Sequence, residues 1–177
     1  MIHILRAAGN SLLVSAVSIA LMLAVAMMGA YAVSRRIVPG SGGIHTLLLA
    51  AMMIPIQAAI VPVVQMVNAV NLSDNLLALS VVYAGINLSM VFLILKNSID
   101  SIPRDLDEAA TIDGCGPFRT LRHVILPASK PAVATCAIIS FLSIYNELPL
   151  ANVLIRTKEL RTVSQALLNL KGDFGTL

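Results

Sequence analysis

Long apolar runs without charge alternate with short polar breaks along this chain. Residues 7–34, 37–73, 75–95 and 131–146 contain no Asp, Glu, Lys or Arg, and after Glu147 apolar sequence resumes as far as Ile155. A helix needs about 20 apolar residues to cross the hydrocarbon of a bilayer, and Lys and Arg are costly at mid-membrane. The pattern therefore predicts four spanning helices, near 10–33, 44–69, 76–96 and 129–154. Pro55 and Pro62 fall inside the second run. They are expected to kink it, since neighbouring helices can satisfy the carbonyls they free. The first run has a rival reading as a signal peptide, with Arg6, an apolar core and "AVA" at 24–26. Its length, and the membrane segments that follow it, favour a spanning helix.

Composition sharpens this picture. Hydrophobic residues make up 58% of the chain and charged ones 12%, against about 25% charged in soluble domains. A chain of 177 residues cannot bury that apolar excess in its own core, so membrane lipid is the expected surrounding. The net charge of +3 is small and the basic residues are scattered, which does not suggest nucleic-acid binding. Cys115 and Cys136 lack metal-ligand spacing and are expected as two unpaired thiols. The sequons at Asn71 and Asn87 are read as chance matches, the second lying inside a predicted span. His3, His45 and His123 stand alone. No Ser-His-Asp, H-E-x-x-H, paired-carboxylate or phosphate-loop pattern is present, so no catalytic residue, metal site or bound cofactor is expected.

If the four helices alternate, Arg35, Arg36, Lys96, Arg104, Arg119, Arg122 and Lys130 fall on one side of the membrane. Arg6, Arg156, Lys158, Arg161 and Lys171 fall on the other. The excess of basic residues marks the cytoplasmic side. It places the segment between the third and fourth helices inside and both chain ends outside.

That segment, at 107–131, reads "DEAATIDGCGPFRTLRHVILPASKP". Ser101 and Pro103 are a helix-start signal, and Asp105, Asp107 and Glu108 suit the positive end of a helix dipole. Leu106, Ala109, Ala110 and Asp113 share a face by spacing. Gly114 is a natural stop, because it accepts the left-handed conformation. Pro117 can open a second helix with Phe118, Leu121 and Ile125 along one side. The expectation is two short helices at a glycine bend outside the bilayer. The small pair Ala109-Ala110 would let another surface come close. A connector of some thirty residues with this much helix signal is expected to be functional.

Glu108-Ala109-Ala110, Gly114 and the run Val124, Ile125, Leu126, Pro127 resemble the EAA signature of ABC importer permeases, with Asp113 before Gly114 as in the common form. Val124 replaces the usual Ile, and Cys115 stands where Ala is frequent. "NSL" at 10–12, "GAYAVSR" at 29–35, "SIPRDLDEAATIDG" at 101–114, "YNELPLA" at 145–151 and "LRTVSQAL" at 160–167 resemble the maltose-type carbohydrate branch, which often has Trp where this chain has Tyr145. The resemblance covers nearly the whole chain. It implies an all-α, polytopic membrane protein: a single permease domain over 1–177 with about four membrane helices and a cytoplasmic coupling loop at about 98–128. It also implies a complex of two permease subunits, two cytoplasmic ATPases that use the ATP, and an extracellular solute-binding protein. In it, Glu108, Ala109, Ala110, Asp113, Gly114, Phe118, Leu126 and Pro127 would dock on the ATPase. Members of this branch usually have six membrane helices. This chain is expected to lack the first and the last, since "KGDFGTL" at 171–177 resembles the outside loop before the final one.

Two polar sets inside the apolar runs leave alternatives open. Glu147, with Asn146 beside it, would either line a path for a polar solute or fix helix packing, since an ionisable group at membrane depth faces protein or water. Gln57, Gln65, Asn68 and Asn71 have partly helical spacing and would either face the path or bind helices together. At the level of function, a carbohydrate permease stands beside a permease for another small solute and a scaffolding or inactive relative. Nothing in the chain chemically identifies the solute.

Overall fold

In α1 (Ile2–Ser34) a stripe of narrow residues turns inward. Ala7, Ser11, Val14, Ser15, Ser18 and Met22 are buried, followed by Ala26, Ala30, Tyr31 and Ser34. Steps of three and four keep them on one side of the helix. Leu12, Leu13, Leu21 and Val25 point away and are 40–54% exposed, the surface a lipid tail would cover. Serines and alanines let a neighbouring backbone approach closely, which is how helices associate where no hydrophobic drive exists.

The computed structural model describes residues 2–174, with side chains described for 4–168. The side chains of His3 and Lys171, and the tail resemblance at 171–177, lie outside them. Among the described residues every regular element is helical. After α1 come α2 (Ser41–Ala51), α3 (Ile56–Ala69), α4 (Leu76–Asp100) and α5 (Asp105–Ile112). Then follow α6 (Pro117–Ala128), α7 (Lys130–Tyr145), α8 (Pro149–Leu154) and α9 (Val163–Phe174). The all-α membrane-protein expectation is therefore met. α1 and α4 are each long and apolar enough to cross a bilayer. Two bent helix pairs, α2 with α3 and α6 with α7, meet the same length and composition only when each is taken together, which gives up to four.

Two of the predicted spans differ from a simple kinked rod. The second is two helices, because Pro55 holds an extended backbone (φ −66°, ψ 133°) and disfavours helix at the residue before it. Pro62 sits inside α3 without ending it. The last span stops at Tyr145 and restarts at Pro149, a residue suited to the first turn of a helix.

The chain divides into two compact units. One comprises 1–21, 54–86 and 139–177. Its core gathers Val14, Leu79, Tyr83, Ile144, Leu150 and Leu154. Ser18 Oγ lies 2.7 Å from the carbonyl of Val14 and 2.9 Å from that of Ser80 on α4. Asn75 caps α4 by accepting the N–H of Leu77 at 2.8 Å, as an N-cap residue does. Asp74 accepts the N–H groups of Arg156 (2.9 Å) and Thr157 (3.0 Å) and the Thr157 hydroxyl. Gln165, 1% exposed, donates to the carbonyls of Ala151 and Ile155 at 3.1 Å each. These bonds tie the polar turns to the ends of the apolar helices.

The other unit comprises 22–53 and 87–138. Here the second half of α1 packs on the second half of α4, and the hydrogen side of Gly29 faces the Phe92 ring. Cys115 and Cys136 are both free thiols.

Candidate functional site: an anchored helical elbow

α5 begins with Asp105, Asp107 and Glu108 in its first turn, where the helix dipole favours negative charge. It ends at Gly114, whose φ of 77° is the left-handed value glycine adopts without a Cβ clash. The N–H of Gly114 reaches the carbonyl of Thr111 at 3.0 Å, and that of Cys115 reaches Ala110 at 2.9 Å. The chain then turns into α6 at Pro117. So the two helices and the glycine bend expected from the sequence are present. Inside α6, residues Leu121–Ile125 form a wide π turn. Pro127 explains it: proline has no N–H to donate back and its ring presses on the carbonyl four residues earlier, and a widened turn relieves both.

Of Leu106, Ala109, Ala110 and Asp113, only Ala110 is buried; Leu106 is 45% exposed, and Ala109 and Asp113 are exposed. On α6, Leu121 and Ile125 are buried while Phe118 is 65% exposed. Phe118 borders an apolar hollow of about 380 Å³ with Met27, Met28 and Leu121. Leu126 and Pro127 are exposed, and so is Glu108. Ile112, to which the sequence assigned no role, is 86% exposed; two positions from the buried Ala110, it points to the opposite side of the helix by periodicity alone.

The elbow is anchored to α1. Tyr31 Oη donates to Asp107 Oδ1 at 3.2 Å. The Arg35 guanidinium sits 2.8 Å from Asp107 Oδ2 and donates to the carbonyl of Ile102 at 3.1 Å. One turn away, Asp100 accepts the Ser34 hydroxyl at 2.6 Å and the Lys96 ammonium at 2.6 Å. Arg35 and Asp107 have side chains only 8% and 18% exposed, so the charges are poorly screened by water. In the sequence Arg35 counts toward orientation and stands with Tyr31 in the family-like stretch at 29–35, with no contact implied for either. Their spacing of four on α1 places both on the face turned to α5.

The polar residues considered for a solute path lie in the other unit. Gln57 and Gln65 are exposed on α3, and Asn146 is exposed, donating to the carbonyl of Leu142 at 2.7 Å. Asn68 accepts the Ser73 hydroxyl, and Asn71 adopts φ 55°, so both shape the turn after α3. Glu147 is fully engaged with protein. Its carboxylate accepts the Tyr83 hydroxyl and the N–H groups of Leu150 (2.9 Å) and Ala151 (3.2 Å). Its carbonyl accepts the Ser164 hydroxyl at 2.8 Å. Among the described residues no group of three or more His, Cys, Asp or Glu is placed to hold a metal.

A membrane-embedded helical chain carrying a polar elbow pinned to its first helix is the class this fold and site define. The chain belongs to the family of binding-protein-dependent transport system inner membrane components, whose model matches residues 26–175. It is 32% identical to the sulfoquinovosyl glycerol transport system permease protein SmoH of Agrobacterium fabrum, over 93% of this chain and 58% of that protein. It is 33% identical to the galactooligosaccharides transport system permease protein GanQ of Bacillus subtilis, over 93% of this chain and 58% of that one. The diacetylchitobiose uptake system permease protein DasC of Streptomyces coelicolor is 27% identical, over 98% and 63%. The fold matches a chain in the crystal structure of a bacterial ABC transporter involved in the import of the acidic polysaccharide alginate. The TM-score there is 0.85 at 23% identity, covering 96% of this chain and 59% of the other. The chain thus spans roughly three-fifths of the length of these relatives.

Proposed function

We propose that this chain forms part of the membrane pathway of an ATP-driven importer for carbohydrate and couples to a separate cytoplasmic ATPase through α5 and α6. The observation that carries the reading is the division of α5. Asp107 is pinned to Tyr31 and Arg35 of a membrane helix, while Glu108, Ala109 and Ile112 on the same helix are left exposed. One side holds the bilayer and the other is free to hold a partner. Closure of an ATPase dimer is a rigid-body motion, and only a stiff handle passes such motion to membrane helices.

In this reading Glu108 meets a basic or hydrogen-bond-donating group of the ATPase, and Ile112 and Phe118 fill apolar hollows on it. Ala109 allows close approach, Asp113 and Gly114 set the bend, and Leu126 and Pro127 lead back to the membrane. The elbow, over about 98–128, then lies in the cytoplasm. ATP and its chemistry belong to the ATPase dimer. A second permease subunit and an extracellular solute-binding protein complete the assembly. The carbohydrate assignment rests on the sugar-type solutes in the names of the relatives. Glu147, capping α8 and holding Tyr83, acts as a packing residue. Asn146, Gln57 and Gln65, being exposed, are the better candidates to meet solute.

The test is reconstitution of the protein with its candidate ATPases and measurement of solute-stimulated ATP hydrolysis alongside uptake. Glu108→Lys and Gly114→Pro are expected to leave ATP hydrolysis present but uptake abolished. Unchanged uptake in both variants would remove the elbow from the coupling role.

A further inference from the structure

A polar cavity of about 300 Å³ lies where α1, α2 and α4 meet within the second unit, lined by Arg36, His45, Lys96, Asp100 and Arg104 with Ser34 and Ser41. Its volume is at the lower edge of the roughly 300–1,000 Å³ of small-ligand sites. Its charge is unbalanced. Asp100 is the acid in the lining, and it is satisfied by Lys96 Nζ at 2.6 Å and Ser34 Oγ at 2.6 Å. Among the described residues, Arg36 and Arg104 have no acidic partner within salt-bridge distance, so two positive charges are left over. Arg36 also ends α1 with φ 56°, a conformation unusual for a side-chain-bearing residue.

The height of the cavity along the helices decides what would fill it. α1 is free of charge over 7–34 and α4 over 76–95. Arg35 and Arg36 are the first charges after the one run, and Lys96 is the first after the other. The cavity therefore opens where both membrane helices leave the hydrocarbon, at the level of lipid phosphates. Cations there attract anionic headgroups, and a planar guanidinium matches phosphate oxygens two at a time.

We infer that this cavity is a phosphate-binding site, occupied in the membrane by the phosphodiester headgroup of an anionic phospholipid. The inference goes beyond the transport reading and needs only that α1 and α4 cross the bilayer; ATPase coupling is not its readout.

The experiment uses the purified full chain in nanodiscs of equal phosphatidylglycerol and phosphatidylcholine, with tightly held lipid counted by native mass spectrometry after detergent extraction. The unaltered protein is expected to retain phosphatidylglycerol over phosphatidylcholine. Arg36→Gln with Arg104→Gln is expected to lower that preference about tenfold or more, on a scale of roughly five-fold per cation at an anionic surface. Arg36→Lys with Arg104→Lys should keep most of it, which separates loss of charge from loss of fold. Arg156→Gln with Lys158→Gln removes the same net charge elsewhere and should keep it too. A second arm titrates inorganic phosphate and glycerol 3-phosphate. Displacement of the retained lipid only by phosphatidylglycerol identifies the headgroup as the source. Binding of the soluble anions that the Gln pair abolishes, without lipid preference, supports the site with a free phosphate as its ligand. Equal retention of both lipids together with no anion binding would overturn the site. So would a Gln pair that keeps the full preference.

Discussion

Arg35 at the end of α1 and Asp107 in the first turn of α5 stand 2.8 Å apart, across 72 positions of sequence. The contact joins the end of a helix long and apolar enough to cross a bilayer to a helix of 8 residues. Asp107→Ala would strip Arg35 of its counter-charge and Tyr31 of its acceptor. A lost hydrogen bond to a charged group costs roughly 1.5–3 kcal/mol, and the guanidinium would remain mostly buried without its partner. We predict a lower unfolding midpoint and weakened coupling of ATP hydrolysis to uptake. In a double-mutant cycle with Arg35→Ala, the interaction should be about 1 kcal/mol or more, above the median for exposed pairs. A value near zero would mean that the pair is incidental.

The outward side of α5 makes a separate prediction. Ile112 touches little in this chain, so Ile112→Ser should change stability by less than about 0.5 kcal/mol. The same substitution should weaken co-purification with the ATPase severalfold, because exposed apolar anchors commonly carry binding energy. Loss of stability without loss of co-purification would reverse the assignment of the two sides.

Gly114 gives a graded test. Nothing lies within 4 Å of a Cβ built there, and its φ is 77°, so any cost comes from the backbone alone. Gly114→Ala should cost about 1–2 kcal/mol, and Gly114→Asn less, since asparagine tolerates the left-handed region. Equal stability of all three would mean that the bend relaxes to another conformation.

Glu147 is expected to be sensitive in assembly before transport. Glu147→Ala removes the acceptor for the N–H groups that open α8 and for the Tyr83 hydroxyl. The capping loss alone is about 1 kcal/mol, and the buried hydroxyl adds roughly 1–3 kcal/mol. Glu147→Gln keeps one acceptor oxygen and should fold better. Normal folding of the alanine variant, with uptake alone abolished, would return Glu147 to the solute path.

Asp74 supplies the pH dependence. Hydrogen bonds from the Thr157 hydroxyl and backbone hold its carboxyl below the ordinary value of 3.8. A depressed carboxyl contributes stability that is present above that ordinary value and is lost as pH falls through the lower folded one. Amide exchange at Arg156 and Thr157, corrected for intrinsic rates, should therefore be slow at neutral pH and quicken below about pH 3.8. In Asp74→Asn it should be fast at neutral pH as well. Protection that ignores both changes would place these amides elsewhere.

The helices themselves were legible because hydrocarbon demands long charge-free runs, and α1 over 7–34 and α4 over 76–95 carry no charge. The elbow was legible because Asp105, Gly114 and Pro117 are local signals, each acting on its own backbone. The interruption at Pro55 was visible as a residue but not as a break. Kinking and breaking differ only in whether neighbours satisfy the freed carbonyls, and that depends on distant sequence. The roles of Tyr31 and Arg35 were hidden for the same reason: their partner lies more than seventy residues away. Periodicity put Phe118, Leu121 and Ile125 along one side, but it fixes a relative face and not how deeply each residue is buried, and Phe118 alone of the three is exposed.

The seryl stripe on α1 sets bounds on how this chain can drift. Ser11, Ser15 and Ser18 are at most 3% exposed and leave little room for a wider side chain, so substitutions there should be confined to glycine or alanine. Leu12, Leu13 and Leu21 can trade freely among aliphatics. Natural variants of this protein should accordingly be richest on the side that meets lipid and poorest where the chain is narrowest.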